Sequence, residues 1–200
     1  MVYIRIKMRS GKENEMLFAL SILKNPEVEY NSNSLAKQLH LSPMGSLKVA
    51  NRLQKDGILI YRKVGKAKIY KISNSEYALQ YIKLMLKKEA EISHHYIKRW
   101  IEEIKKANSA KAAILFGSAL KKHEGSKDID VLFIVDNKNF AKLKKEIEEI
   151  NLLNTKKIHP IFQNEEDLEK NTGKKDPVIL NAIKGVVVFG EDALLKYLIK

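Results

Sequence analysis

Ala112-Ala113-Ile114-Leu115-Phe116-Gly117-Ser118, followed after nine residues by Asp128-Ile129-Asp130-Val131-Leu132-Phe133-Ile134-Val135, is the stretch whose reading decides the fold. The first apolar run predicts a buried strand, Ala112 to Phe116, that stops at a glycine. The second predicts a strand from Ile129 to Val135. Successive side chains of a strand point to opposite faces, so Asp128 and Asp130, flanking Ile129, share one face. Two carboxylates held that close repel unless a cation sits between them, and hard oxygen ligands on a rigid strand suit Mg²⁺ shared with substrate phosphates. Gly117 lets backbone N–H groups approach a phosphate closely, and Ser118 adds a hydroxyl donor.

Toward the C-terminus the pattern keeps alternating. A helix is predicted over Phe140 to Ile150, a strand over Lys157 to Gln163, a helix over Asp176 to Ile183, a strand over Val186 to Phe189 and a helix over Asp192 to Ile199. Strands interleaved with helices predict an α/β domain over residues 107–200.

This combination resembles the DNA polymerase β-like nucleotidyltransferase superfamily, in particular its small bacterial and archaeal members. The resemblance rests on Phe116-Gly117-Ser118, on Asp128-Ile129-Asp130 and on the ending Gly185-Val186-Val187-Val188-Phe189-Gly190-Glu191-Asp192. It implies a nucleotidyltransferase fold with a mixed sheet. It also implies transfer of a nucleotidyl group from an NTP, with ATP the expected one, to a hydroxyl, with pyrophosphate leaving and Mg²⁺ or Mn²⁺ clamping the attacking and leaving oxygens. By position, Gly117 and Ser118 hold the triphosphate, and Asp128 and Asp130 are the metal ligands and catalytic acids. Lys127, with Lys121 and Lys122, neutralises phosphate charge.

One departure stands out. Active members carry a third carboxylate on a later strand, whereas the matching strand here, Lys157-Ile158-His159-Pro160-Ile161-Phe162-Gln163, has no acid. His159 stands about where that carboxylate is expected. A neutral imidazole can act as a base, but it ligates Mg²⁺ poorly compared with oxygen. Glu165, Glu166 and Asp167 follow the strand and look like the first turn of a helix, where the dipole favours acids.

The N-terminal part reads differently. Met16, Leu17, Leu20 and Leu23 give helical spacing from Glu13 to Lys24, stopped by Asn25-Pro26. A short helix is predicted from Ser34 as N-cap. A third runs from Ser42-Pro43 to about Asp56, with Leu47, Ala50 and Leu53 inward and Gly57 as its stop. Strands at Ile58 to Tyr61 and Lys68 to Ile72 flank a turn at Gly65. Three helices and a β-hairpin resemble a winged helix-turn-helix over residues 12–73. That family lays its third helix in the DNA major groove and its wing against the phosphate backbone. The exposed candidates on the helix are Ser42, Met44, Ser46, Lys48, Asn51, Arg52 and Lys55. Those on the wing are Arg62, Lys63, Lys66 and Lys68. Arg and Asn can read base edges and Lys mainly neutralises phosphate, while Met44 and Gly45 read little.

Charge follows the same division. Residues 1–76 hold 14 Lys and Arg against 6 Asp and Glu, whereas residues 107–200 hold 16 against 14. A basic excess concentrated in one part predicts a polyanion partner there, here double-stranded DNA. Between the two parts, residues 77–106 carry an apolar stripe of a long linker helix, weakest from Lys87 to Ser93, that is also an expected pairing surface for a homodimer. His94 and His95, adjacent on that helix, are expected to point apart and not to form a metal site. The chain has no Cys, which excludes disulfides, thiolate zinc sites and cysteine nucleophiles. No run approaches the roughly 18–20 apolar residues of a membrane span, and Met1-Val2-Tyr3-Ile4-Arg5 lacks a long apolar stretch, so no membrane partner and a cytoplasmic location are expected.

The expected organisation is therefore a two-domain α+β or α/β protein: a winged helix-turn-helix over 1–76, a linker helix over 77–106 and a nucleotidyltransferase domain over 107–200. The expected function is Mg²⁺-dependent nucleotidyl transfer directed by a DNA-binding module. The alternative is a DNA-binding transcriptional regulator, or an antitoxin-like protein, whose nucleotidyltransferase fold is non-catalytic.

Overall fold

The computed structural model describes residues 11–199; the reading of Met1 to Arg5 lies outside them. Backbone contacts separate two compact units, one ending at Met85 and one spanning Leu86–Tyr197. Among the described residues, no helix is long and apolar enough to cross a membrane.

The first unit opens with α1 (Gly11–Lys24), α2 (Ser32–Leu39) and α3 (Pro43–Lys55) and continues with an antiparallel hairpin of β1 (Leu59–Val64) and β2 (Ala67–Ile72). Phe18, Leu20, Leu35, Leu39, Leu53 and Ile58 are buried at its centre. The Tyr70 N–H donates to the Tyr30 carbonyl at 2.8 Å, so the segment before α2 adds a single bridge to β2. The α2 N-cap is Asn31, three residues earlier than expected. Its side chain accepts from the Ser34 N–H at 2.9 Å while Ser34 Oγ accepts from the Asn31 N–H at 3.0 Å, so Ser34 is the far side of a capping box. Ser42 caps α3 with Pro43 at its first position, and Gly57 follows the helix with φ 71°, both as read from the sequence.

Two assignments on α3 are corrected. Ser46 is fully buried and donates to the Ser32 carbonyl at 2.6 Å, so it is not an exposed base reader. Leu47, expected inside, is 38% exposed. The inward face is Ser46, Ala50 and Leu53, an i, i+4, i+7 set that leaves position 47 on the flank.

The linker stretch is two helices, α4 (Glu76–Glu91) and α5 (His95–Ile104), and the break adjoins the Lys87 to Ser93 segment, where the apolar stripe is weakest and a kink or a second helix is open. Ser93 Oγ folds back onto the Glu89 carbonyl at 2.9 Å and His94 restarts the chain as an N-cap. The second of these helices is core: Ile97, Trp100, Ile101 and Ile104 are buried among strand residues of the C-terminal unit.

That unit continues with β3 (Ala112–Phe116), α6 (Ala119–Lys122), a 3-10 turn (His123–Gly125), β4 (Ile129–Ile134), α7 (Asn137–Leu153) and β5 (Ile158–Gln163). It ends with α8 (Glu165–Gly173), α9 (Pro177–Ile183), β6 (Val186–Phe189) and α10 (Glu191–Leu198). The sheet order is β5-β4-β3-β6; β3 is antiparallel to both neighbours and β4 is parallel to β5, so the sheet is mixed. Every residue of β3 is buried, as an uninterrupted apolar run in a central strand requires. Ile129, Val131, Phe133 and Val135 share a core with α5 and with Leu143 and Ile147 of α7. By alternation, Asp130 belongs to the opposite face, while Asp128 lies in the bend just before β4.

Replacing Ser46 with Ala strips the Ser32 carbonyl of a buried donor. We expect a loss of about 1 kcal/mol in urea denaturation; an unchanged midpoint would show that water replaces the hydroxyl.

Candidate functional site

The site grows from the register of three strands. Asp130 is paired with Phe116 on one side and with His159 on the other. Residues directly opposite one another in a ladder send their side chains to the same face, so all three meet at one end of the sheet. His159 Nδ1 lies 3.2 Å from Asp130 Oδ1. A carboxylate only accepts, so in this pairing Nδ1 is the donor and Nε2 points away from Asp130. Asp130 is 22% exposed and His159 is 69% exposed, so the carboxylate sits in the floor and the imidazole on the rim.

Gly117 leaves β3 with φ 77°, a conformation that side chains rarely adopt. A Cβ built there would stand 2.1 Å from Asp130 Oδ2. Glycine is thus what lets the Asp130 carboxylate rest against the turn that follows β3.

Beside that turn lies a cavity of about 400 Å³ lined by Gly117, Ser118, Lys121, Lys122, Asn181 and Lys184, among others. Three lysines around one opening suit an anion. Ala119–Lys122 form the short helix α6, and Lys121 and Lys122 line the cavity. Lys127 is exposed and does not line it; neither do Asp128, Asp130 and His159, of which Asp130 adjoins the lining residues Phe116 and Gly117. Asn181 and Lys184 were missed, because nothing local marks two polar residues at the end of α9 as neighbours of a turn far earlier in the chain.

The acids after β5 do not replace the missing carboxylate. Ile134 pairs with Gln163 at the far end of the ladder, and a strand rises about 3.3 Å per residue, so Gln163 stands roughly 13 Å along from His159 and Glu165 comes after it, in α8. It serves the opposite edge. Lys111, 2.8 Å from both Glu165 Oε1 and Asp136 Oδ1, and then the Tyr197 hydroxyl hold the Glu165 carboxyl down to about 2.

A second cluster departs from expectation. His94 is the N-cap of α5, outside the helix proper, so its ring is not forced away from that of His95; the ring centroids lie 4.0 Å apart. Among the described residues, the one group of three ligand-type side chains with ligand atoms within 4.8 Å of one another is His94, His95 and Glu124. Asp128, Asp130 and His159 form no such group.

Residues 98–193 match the family model described as Polymerase beta, Nucleotidyltransferase. The match supports a nucleotidyltransferase domain in this segment, and the mixed four-stranded sheet with its surrounding helices fits that α+β fold. Domains of this kind act on nucleotides and usually use divalent metals. No curated protein and no solved structure matches the chain.

Gly117→Ala forces a Cβ into the space of the Asp130 carboxylate and into a left-handed backbone. Thermal denaturation should show a destabilisation of about 1–2 kcal/mol; wild-type stability would mean that the turn readily takes another conformation.

Proposed function

We propose that the C-terminal unit transfers a nucleotidyl group from an NTP, with ATP first in order, to a hydroxyl acceptor, and that the N-terminal unit is a winged helix that brings this activity to double-stranded DNA. The observation that carries the reading is the junction at Gly117. There a lysine-lined cavity adjoins the Asp130 carboxylate, and the segment matches a nucleotidyltransferase model. Phosphates lie against the Gly117 and Ser118 backbone, and Lys121, Lys122 and Lys184 offset their charge; Lys127 adds a more distant cation.

The donors fit a divalent cation. Asp130 at the start of β4 and Asp128 just before the strand would hold it, and the imidazole of His159 stands beside Asp130, about where a further carboxylate is expected. With His159 Nε2 kept for the proton, the carboxylates would hold the ion, a hard oxygen donor set open to Mg²⁺ and Mn²⁺ alike. When bound, the metal polarises the phosphoryl oxygens. The acceptor oxygen forms its bond to the α-phosphorus as the bond to the bridging oxygen of pyrophosphate breaks, and the acceptor's proton passes to His159 Nε2. The Asp130 carboxylate fixes the tautomer that makes Nε2 available. A cysteine-free chain suits a reducing cytoplasm.

A second reading is favoured by one observation, the absence of an acid on β5: a DNA-binding regulator that binds nucleotide without transferring it. Incubation with Mg²⁺ or Mn²⁺ and each α-labelled NTP, with cell extract as the acceptor source, separates the two. Transfer that vanishes in Asp128→Asn and Asp130→Asn and falls in His159→Ala supports the enzyme. Nucleotide binding without transfer supports the regulator.

The DNA-binding surface narrows on inspection. Arg52 is paired with Glu15 at 2.6 Å and Arg62 with Glu29 at 2.5 Å, while Lys68 donates to Gln54 and sits 4.2 Å over the Tyr61 ring. Lys48, Asn51 and Lys55 on α3 and Lys63 and Lys66 on the hairpin are exposed. The bridge from Tyr30 to β2 supports a winged-helix reading, since it anchors the hairpin beside the helices. Lys63→Glu with Lys66→Glu should weaken duplex binding and make its salt dependence shallower by about two units of slope. Binding that keeps its wild-type salt slope would remove the hairpin from the interface.

A further inference from the structure

His94, His95 and Glu124 stand apart from the strand-end carboxylates and meet from two directions. His94 and His95 begin α5, and Glu124 lies in the 3-10 turn after α6. His95 Nε2 is 3.3 Å from Glu124 Oε1. Two ligands on a tetrahedral Zn²⁺ with bonds of about 2.0–2.1 Å are roughly 3.3–3.4 Å apart, so this pair already has the spacing of one tetrahedron edge. The third ligand atom is within 4.8 Å of both, and all three side chains are exposed, so small side-chain rotations complete the triangle and leave a fourth position to water.

The backbone beneath is held. Lys156 Nζ donates to the Glu124 carbonyl and, at 2.6 Å, to the Ser126 carbonyl, which fixes the turn from below. The buried Ser126 hydroxyl donates to the His123 carbonyl at 2.9 Å. His123 has φ 48°, uncommon for a residue with a side chain, and its ring stacks on His94 at 4.0 Å with an interplanar angle of 16°. A residue kept in a sparsely populated conformation while bracing a ligand-type ring is the kind of local strain that collects at functional sites.

We propose that His94, His95 and Glu124 form a binding site for a Zn²⁺-class transition-metal ion, separate from the strand-end carboxylates. Two imidazoles and one carboxylate are the donors such ions select, whereas Mg²⁺ takes oxygen ligands. His94 Nδ1 accepts the Tyr96 N–H at 3.3 Å, a long cap bond. The ion takes that lone pair, or takes Nε2 after a tautomer change; either way it displaces the weakest bond of the local set. Because Glu124 lies between Ser118 and Asp128 in the chain, an ion here ties the start of α5 to the segment joining the two halves of the strand-end site.

The test is equilibrium dialysis of Zn²⁺ against the untagged full chain, its His95→Ala and Glu124→Gln variants, and the double variant Asp128→Asn, Asp130→Asn. Circular dichroism confirms that each is folded. The expected result is one Zn²⁺ bound by the wild type and by the double variant. The two cluster variants should bind it at least as weakly as the roughly 10–100-fold loss that outer-shell changes alone cause. Wild-type affinity in both cluster variants, or loss of Zn²⁺ in the double variant alone, overturns the proposal. With Co²⁺ as the probe, the visible absorption of a tetrahedral site should appear in the wild type and be missing in His95→Ala; a band that persists there also overturns it.

Discussion

A carboxylate resting against an α-carbon leaves no room for a methyl group, and the Asp130 end of the sheet in the C-terminal unit depends on that vacancy at Gly117. The antiparallel pairing of β3 with β4 brings Asp130 level with Phe116, and the left-handed turn of the next residue then folds the chain over the carboxylate. Everything downstream inherits this geometry. Ser118 opens α6, whose Lys121 and Lys122 reach the cavity, and the parallel partner β5 delivers His159 to the other side of the same aspartate.

Charge is distributed with the same economy. Lys111 and Glu165 neutralise each other at the opposite edge of the sheet, whereas the cavity beside Gly117 collects lysines. Lysines sharing a concave surface repel one another, and an anion in the cavity relieves that repulsion. Arg52 of α3 and Arg62 of the hairpin are each paired with a glutamate, which leaves Lys48, Asn51, Lys55, Lys63 and Lys66 as the other exposed polar residues read there. Such a surface neutralises phosphate more readily than it reads bases.

Much of this was legible before any coordinates. The strands Ala112–Phe116 and Val186–Phe189 were read to their ends, because continuous apolar runs bounded by glycine have one plausible conformation. His159 was singled out only by the resemblance, as standing where a third carboxylate is expected; that it lies opposite Asp130 is set by the β4–β5 register, which the sequence reading did not specify. What failed has a common cause. The burial of Ser46, the helical course of α6, the cap at Asn31 and the meeting of His94 with Glu124 are each decided by partners that local patterns do not announce. Lys184 reaches the cavity for the same reason: its helix packs against β3, a contact made only in three dimensions.

The place of β6 in the sheet has a consequence for how the unit assembles. Pairing Phe116 with Asp130 closes a short loop, while pairing Ile114 with Val187 must wait for the intervening chain to be gathered in. Loop-closure entropy grows with the length of chain enclosed, so it orders these two events. The aspartate and its glycine are brought together by a nearly local act of folding. The lysine at the end of α9 arrives with the last strand, and the cavity wall it supplies is completed only when the sheet is.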